Sequence, residues 1–311
     1  MDVQTRNDPL YKMPHICSLF IKIIFAIIQH LSYLQIIKKF DRMERKVSEI
    51  FLGYQAKKKF GQNFLKDKDC IHKIIQSIPN IHTDEQIVEI GAGLGDLSDE
   101  LLKLYPIKAY EIDSDLCSLL RKKYHSALDS ARLKLIHQDV LDLPNSKGWL
   151  HQEPYVLVSN LPYYVATHII LKILKDPLCQ GFVVMTQKEV AQRFCAKSGE
   201  SHFCALSILT QTFGQVSYLF DVPAIAFEPV PRVTSAVFSF KKNIAMIDED
   251  FENMLKIAFC APRKKLLKNL ATHYDKTVLQ KVFMELRIPL DVRAHQLENS
   301  NYHQIFEKIR K

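Results

Sequence analysis

Three of the nine glycines in this 311-residue chain fall within five positions, at Gly91, Gly93 and Gly95. They follow the apolar run QIVEI (86–90), giving E-I-G-A-G-L-G over 89–95. Glycine there lets the backbone turn sharply and lets a ligand approach without meeting a Cβ. A plain tight turn would read the same way, so the neighbouring residues must decide. A dinucleotide site carries glycine at the sixth position of G-x-G-x-x-G, beside a pyrophosphate. Here that position is Asp96, whose carboxylate would repel pyrophosphate. A cationic sulfonium cofactor without phosphates tolerates that charge. Glu111 ends the next apolar run, about 20 residues on, where a carboxylate can accept from both hydroxyls of a ribose. Asp139 ends the run after that, where it can accept from an adenine amino group. Glycine, glutamate and aspartate at three successive strand ends favour S-adenosylmethionine over a nicotinamide dinucleotide.

A fourth run ends in Asn160-Leu161-Pro162-Tyr163. This constellation suits methylation of an adenine amino group, whose nitrogen lone pair is delocalised into the ring. Acceptors on its two hydrogens would pull the nitrogen toward tetrahedral geometry and localise that pair. The Asn160 side-chain oxygen and a backbone carbonyl at Leu161 or Pro162 could supply them. Pro162 fixes its own φ and restricts Leu161, which holds the carbonyl in place. Tyr163 would stack on the base, worth roughly 1–3 kcal/mol. A general base is not required, because a sulfonium is a strong methyl donor and the proton can leave to water. Elsewhere in a chain, an Asn-initiated turn followed by a buried tyrosine would explain the same four residues.

The elements that must position these groups alternate in type. Short apolar strands are predicted at 86–90, 107–112, 133–139, 154–160 and 181–187. Helices are predicted at 69–77, 97–105, 114–124, 166–175 and 188–196. Strands 215–222 and 235–241 lie close together and predict an antiparallel pair. The alternation predicts an α/β fold with a doubly wound, mainly parallel sheet, whose ligands bind beyond the carboxyl ends of its strands. From Asp248 onward only helices are predicted, at 249–260, 262–272, 275–286 and 301–310.

The composition, 47% hydrophobic and 24% charged, excludes wholesale disorder and a fibrous protein. Residues 1–60 carry 11 Lys/Arg against 5 Asp/Glu, and residues 241–311 carry 14 against 9. The centre, 61–240, carries 17 against 20, so the net +8 sits at the two ends and suggests a polyanionic partner. Seven scattered cysteines, with no spacing suited to a metal, suggest reduced thiols in a cytoplasmic protein; no metal is expected. The apolar stretch 15–40 is interrupted by Lys22, Gln29, His30 and Gln35, and its longest clean run, Ile23 to Ile28, falls far short of the roughly 20 residues that cross a bilayer. No membrane association is expected. Residues 1–46 are read as an N-terminal extension, with Met43 a plausible internal start.

Taken together, several motifs resemble the ribosomal RNA adenine dimethyltransferase family over residues 56–311. They are K-K-F-G-Q-N-F-L (58–65), E-I-G-A-G-L-G (89–95), N-L-P-Y (160–163), Q-K-E-V-A-Q-R (187–193), F-E-P-V-P-R-V-T-S (227–235) and P-R-K-K-L-L-K-N-L (262–270). The resemblance implies a Rossmann-like class I methyltransferase domain at 47–243 and a small all-helical RNA-binding domain at 244–311. It also implies a monomer acting in ribosome biogenesis. Such an enzyme transfers four methyl groups to two adjacent adenines in the 3′-end hairpin of small-subunit (16S) rRNA, on a 30S precursor particle.

The family's cofactor contacts fall on Asn63, Leu65, Gly91, Glu111, Asp139 and Asn160, with Gln62 a neighbour. Its catalytic positions fall on Asn160, Leu161, Pro162 and Tyr163, and Phe227 matches the aromatic expected to stack on the adenine opposite Tyr163. Lys57, Lys58, Lys59, Arg263, Lys264 and Lys265 match positions near RNA backbone, and Arg193 is similarly placed. One departure is Ala92, where the family's glycine turn usually has proline. Rival readings are a resistance-type adenine methylase of large-subunit rRNA, a DNA adenine methyltransferase, and an assembly factor that keeps the fold without catalysis. Leu161 and the F-E-P-V-P and P-R-K-K runs favour the small-subunit reading.

Overall fold

The computed structural model describes Tyr54, Ala56, Lys57 and residues 60–79, 85–144, 146–244 and 246–310. The apolar stretch 15–40, Met43, Lys58 and Lys59 lie outside the described residues. The chain divides into two compact units, Met1–Gln55 and Ala56–Lys311, and the architecture below is that of the second. Its strands are β1 (Phe64–Leu65), β2 (Gln86–Ile90), β3 (Ile107–Glu111), β4 (Leu133–His137), β5 (Tyr155–Asn160), β6 (Cys179–Gln187), β7 (Gly214–Val222), β8 (Phe227–Glu228) and β9 (Ser235–Lys242). The helices that matter here are α1 (Lys68–Gln76), α2 (Asp96–Leu104), α3 (Ser114–Lys123), α4 (His125–Asp129), α5 (Ala166–Lys175), α6 (Lys188–Cys195) and α7 (Ala205–Phe213). Four more close the chain: α8 (Glu249–Ala258), α9 (Leu266–Leu270), α10 (Lys276–Glu285) and α11 (Asn299–Ile309).

Seven strands form one sheet in the order β4-β3-β2-β5-β6-β9-β7, with β9 antiparallel to both its neighbours and the other pairings parallel. Strands covered by helices on both faces lose the polar–apolar alternation. That is why Tyr155–Ser159 of β5 and most of β6 are buried at every position. Two apolar clusters result, one containing Leu157, Ile170 and Phe182, the other Ile87, Leu101 and Val183. A third cluster joins Phe251, Leu266, Phe283 and Tyr302 of the C-terminal helices to Phe203, Ile208 and Leu209. No described helix is long and apolar enough to cross a membrane.

The order places a topological switch between β2 and β5, where the chain leaves β2 toward β3 and β4 and later returns to the other side. A crevice opens beyond the strand ends at such a point. Two glycines shape it. Gly91 leaves β2 at φ 72, a left-handed conformation that side chains disfavour. Gly95 caps α2 at φ 84, and a Cβ there would lie 2.3 Å from the Tyr124 hydroxyl.

Glu89, 1% exposed on β2, accepts a hydrogen bond from the Ser98 hydroxyl at 2.5 Å. Burial pushes its carboxyl from 4.5 up to about 8. The folded chain therefore holds a proton that the unfolded chain releases, and this contribution to stability is lost as pH rises from 4.5 through about 8. Glu89→Gln should match the wild type in stability near pH 4.5 and exceed it at pH 9, by up to a few kcal/mol. Thermal melts across that range check it; a difference that does not vary with pH would remove Glu89 as the source.

Candidate active site

The crevice at the switch is lined by Asn63, Leu65, Gly91, Glu111, Asn160, Leu161, Pro162 and Tyr163, all singled out in the sequence. Asp139 lines an adjoining recess that shares Gly91, Ile112, Pro162 and Tyr164 with the crevice. The strand ends explain the convergence. Glu111 closes β3, Asp139 follows β4 and Asn160 closes β5, so parallel strands deliver all three to one edge.

Each polar group is held by the backbone around it. Glu111 accepts from the Gly93 N–H at 2.9 Å and the Asp113 N–H at 3.0 Å. Its burial nevertheless raises the carboxyl above the usual range, and those N–H groups only partly oppose the shift. One Asp139 oxygen caps the Leu141 N–H at 2.9 Å. Glu89, which holds its proton, and Asp96 also line the crevice, so Asp96 and Glu111 are the carboxylates that it offers a cation. Lys66 pairs with Asp96 at 2.7 Å, which weakens the argument that Asp96 alone repels a pyrophosphate.

Asn160 donates its Nδ2 to the Asn63 carbonyl at 3.2 Å, which leaves Oδ1 turned to accept. The Leu161 N–H donates to the Met185 carbonyl at 3.0 Å, pinning that peptide to β6. The Pro162 carbonyl is engaged by the Val165 N–H at 3.2 Å, whereas the Leu161 carbonyl has no such donor among the described residues. Of the two carbonyls left open by the sequence, Leu161's is the free one. Tyr163 is half-buried, and its hydroxyl and Ser235 Oγ share a hydrogen bond at 2.5 Å.

Comparison with known proteins meets this geometry directly. Residues 53–311 match the model of the family described as ribosomal RNA adenine dimethylase. The chain belongs to the ribosomal RNA adenine dimethylase family. A ribosomal RNA small subunit methyltransferase A from Helicobacter hepaticus is 52% identical over 264 residues, covering 83% of this chain and 93% of that one. Its counterpart from Campylobacter hominis is 49% identical, covering 83% and 97%. Among solved structures, a dimethyladenosine transferase from Plasmodium falciparum shares the fold at a TM-score of 0.68 and 23% identity, covering 79% of this chain and 97% of that one. A 23S rRNA methyltransferase does so at 0.64 and 21%, covering 80% and 100%.

Three expectations drawn from the dimethylase resemblance need revision. Phe227 is 3% exposed and lies in a core cluster, paired across β1–β8 with Leu65. Its ring offers no open face to stack on a base in this conformation. Lys57 is not a free cation for phosphate, because Asp113 and Asp115 bind its ammonium at 2.8 and 2.6 Å. Arg193 likewise pairs with Glu189 at 2.8 Å. Arg263, Lys264 and Lys265 are exposed in the turn before α9, away from the crevice lining.

Ser235 and Tyr164 were missed as site residues. Ser235 closes the F-E-P-V-P-R-V-T-S run, but nothing in a sequence shows that its hydroxyl meets Tyr163, 72 residues away. Fully buried, Ser235 fixes the Tyr163 ring from behind. Ser235→Ala in this dimethylase should lower methyl transfer about 3- to 10-fold, the worth of one hydrogen bond, and leave cofactor affinity unchanged. Steady-state kinetics with Tyr163→Phe and the double variant check it. Additive losses would mean that the two hydroxyls act separately.

Proposed function

We propose that this chain transfers methyl groups from S-adenosylmethionine to the amino groups of two adjacent adenines in the 3′-end hairpin of small-subunit rRNA. The observation that carries the reading is the pair of free acceptors at the end of β5, Asn160 Oδ1 and the Leu161 carbonyl. Glu111 would receive the ribose hydroxyls, Asp139 the adenine amino group, and the crevice carboxylates would face the sulfonium. When bound, the cofactor supplies an electrophilic methyl group on positively charged sulfur.

Asn160 and Leu161 accept the two amino hydrogens of the target base, and Tyr163 lies against its ring. The nitrogen lone pair, localised in this way, forms the new N–C bond as the C–S bond breaks, and the proton leaves to water. Rate enhancement then comes from positioning and preorganised acceptors. The names of the 52%- and 49%-identical relatives support the small subunit as target. The exposed Arg263 and Lys264 make residues 244–311 the RNA-binding part in this reading.

The test incubates the protein with labelled S-adenosylmethionine and undermethylated small subunits, followed by nucleoside analysis. Dimethyladenosine in the 3′-end hairpin supports the reading. Label confined to large-subunit RNA would replace it with the resistance-type reaction, and cofactor binding without transfer would replace it with an assembly role.

A further inference from the structure

A second concavity, with about 820 Å³ of open space, runs along the exposed face of α5. His168, Leu171, Lys172 and Lys175 recur there at i, i+3, i+4 and i+7, which puts them on one face over roughly 10 Å of helix. Lys147 also lines the groove, from the loop before β5. The one carboxylate in the lining, Asp176, is buried and already occupied by the Gly148 and Trp149 N–H groups and the Tyr155 hydroxyl. Lys175 pairs with Glu252 at 2.6 Å. Among the described residues Lys147 and Lys172 form no ion pair; Lys172 is within the field of the Asp139 carboxylate and lies 4.4 Å from the centre of the Trp149 ring. The groove is therefore net positive.

It adjoins the crevice at one side chain. Tyr164 follows the catalytic Tyr163, is 60% exposed, and lines both the crevice and the groove. Cations along a groove with an exposed aromatic at its end are what single-stranded nucleic acid requires, the charges for its backbone and the ring face for a base. The lining is itself mostly apolar, from Trp149, Tyr164, Leu171, Pro177 and Met246, so it is the lysines and the shared edge with the crevice that favour RNA over a protein partner.

We propose that the α5 groove holds the RNA strand flanking the target adenine, with a neighbouring base on Tyr164 and phosphates on Lys147 and Lys172. This rests on the RNA reading above, and methylation of small subunits by the wild type tests that reading separately. The closing experiment measures binding of the full chain to an RNA carrying the 3′-end hairpin, as a function of salt. Lys147→Ala/Lys172→Ala should bind about 10-fold more weakly, and the slope of log K against log salt should fall by about 1.5. S-adenosylhomocysteine affinity should stay unchanged. Lys172→Arg should retain wild-type binding, and so should Lys134→Ala, on β4 and outside the groove lining. Wild-type affinity and slope in the double variant would overturn the proposal, as would equal weakening by Lys134→Ala.

Discussion

Asn160→Ala is expected to lower methyl transfer by about 10²- to 10³-fold, the usual effect of removing one preorganised polar group from a transition-state site. The side chain is fixed before substrate arrives, because its Nδ2 is committed to the Asn63 carbonyl at 3.2 Å. The acceptor therefore costs no reorganisation at the moment of reaction. Alanine leaves one acceptor, the Leu161 carbonyl, and a single acceptor cannot draw both amino hydrogens out of the ring plane. The loss should appear in kcat, while S-adenosylhomocysteine binding weakens less than tenfold. Asn160→Asp separates the two roles of the amide. It keeps an acceptor but places a carboxylate oxygen against the Asn63 carbonyl, so it should be impaired even though its charge would favour the developing cation. Single-turnover kinetics at saturating cofactor checks both variants; a normal rate in Asn160→Ala would remove the amide from the mechanism.

How far this site can be read from sequence depends on how local its determinants are. The boundaries of β2 and α5 were legible because apolar periodicity and strand-end residues are local signals. The convergence of Gly91, Glu111, Asp139 and Asn160 was legible for a related reason: in a parallel sheet every strand's carboxyl end falls on the same edge. What failed depended on distant contacts. Helix α7 was missed because Ile208, Leu209, Thr210 and Phe213 are buried on several sides, which erases the amphipathic stripe. The helix expected over 262–272 is confined to Leu266–Leu270. Before it, a turn is closed by the Lys264 N–H on the Ala261 carbonyl, and Lys265 bridges to Arg293.

The same limit governed the side chains. A basic run such as 57–59 reads as a polyanion contact until folding brings Asp113 and Asp115 to Lys57. An aromatic in a proline-rich run reads as a stacking platform until β1 pairs with β8 and closes over Phe227. Charge and aromaticity can be read from composition, but whether they are free cannot.

Glu111→Ala should fail in a different way from Asn160→Ala, and the contrast tests the division of labour within the crevice. Glu111 stands at the end of β3 with each oxygen already receiving a backbone N–H, from Gly93 and from Asp113. Those two bonds aim its remaining lone pairs and tie the glycine turn to the neighbouring strand. Each hydrogen bond from a ribose hydroxyl to a carboxylate is worth about 1.5–3 kcal/mol. Losing two should weaken cofactor binding by about 10²- to 10⁴-fold. None of that interaction is specific to the transition state, so kcat should recover as cofactor is raised toward saturation. The Gly93 and Asp113 N–H groups, left without an acceptor, should also lower the thermal midpoint. Calorimetric titration with S-adenosylhomocysteine separates affinity from stability when performed well below that midpoint. Unchanged affinity would place the ribose elsewhere, while a kcat that stays low at saturating cofactor would mean that the glycine turn aims the methyl group as well as holding it.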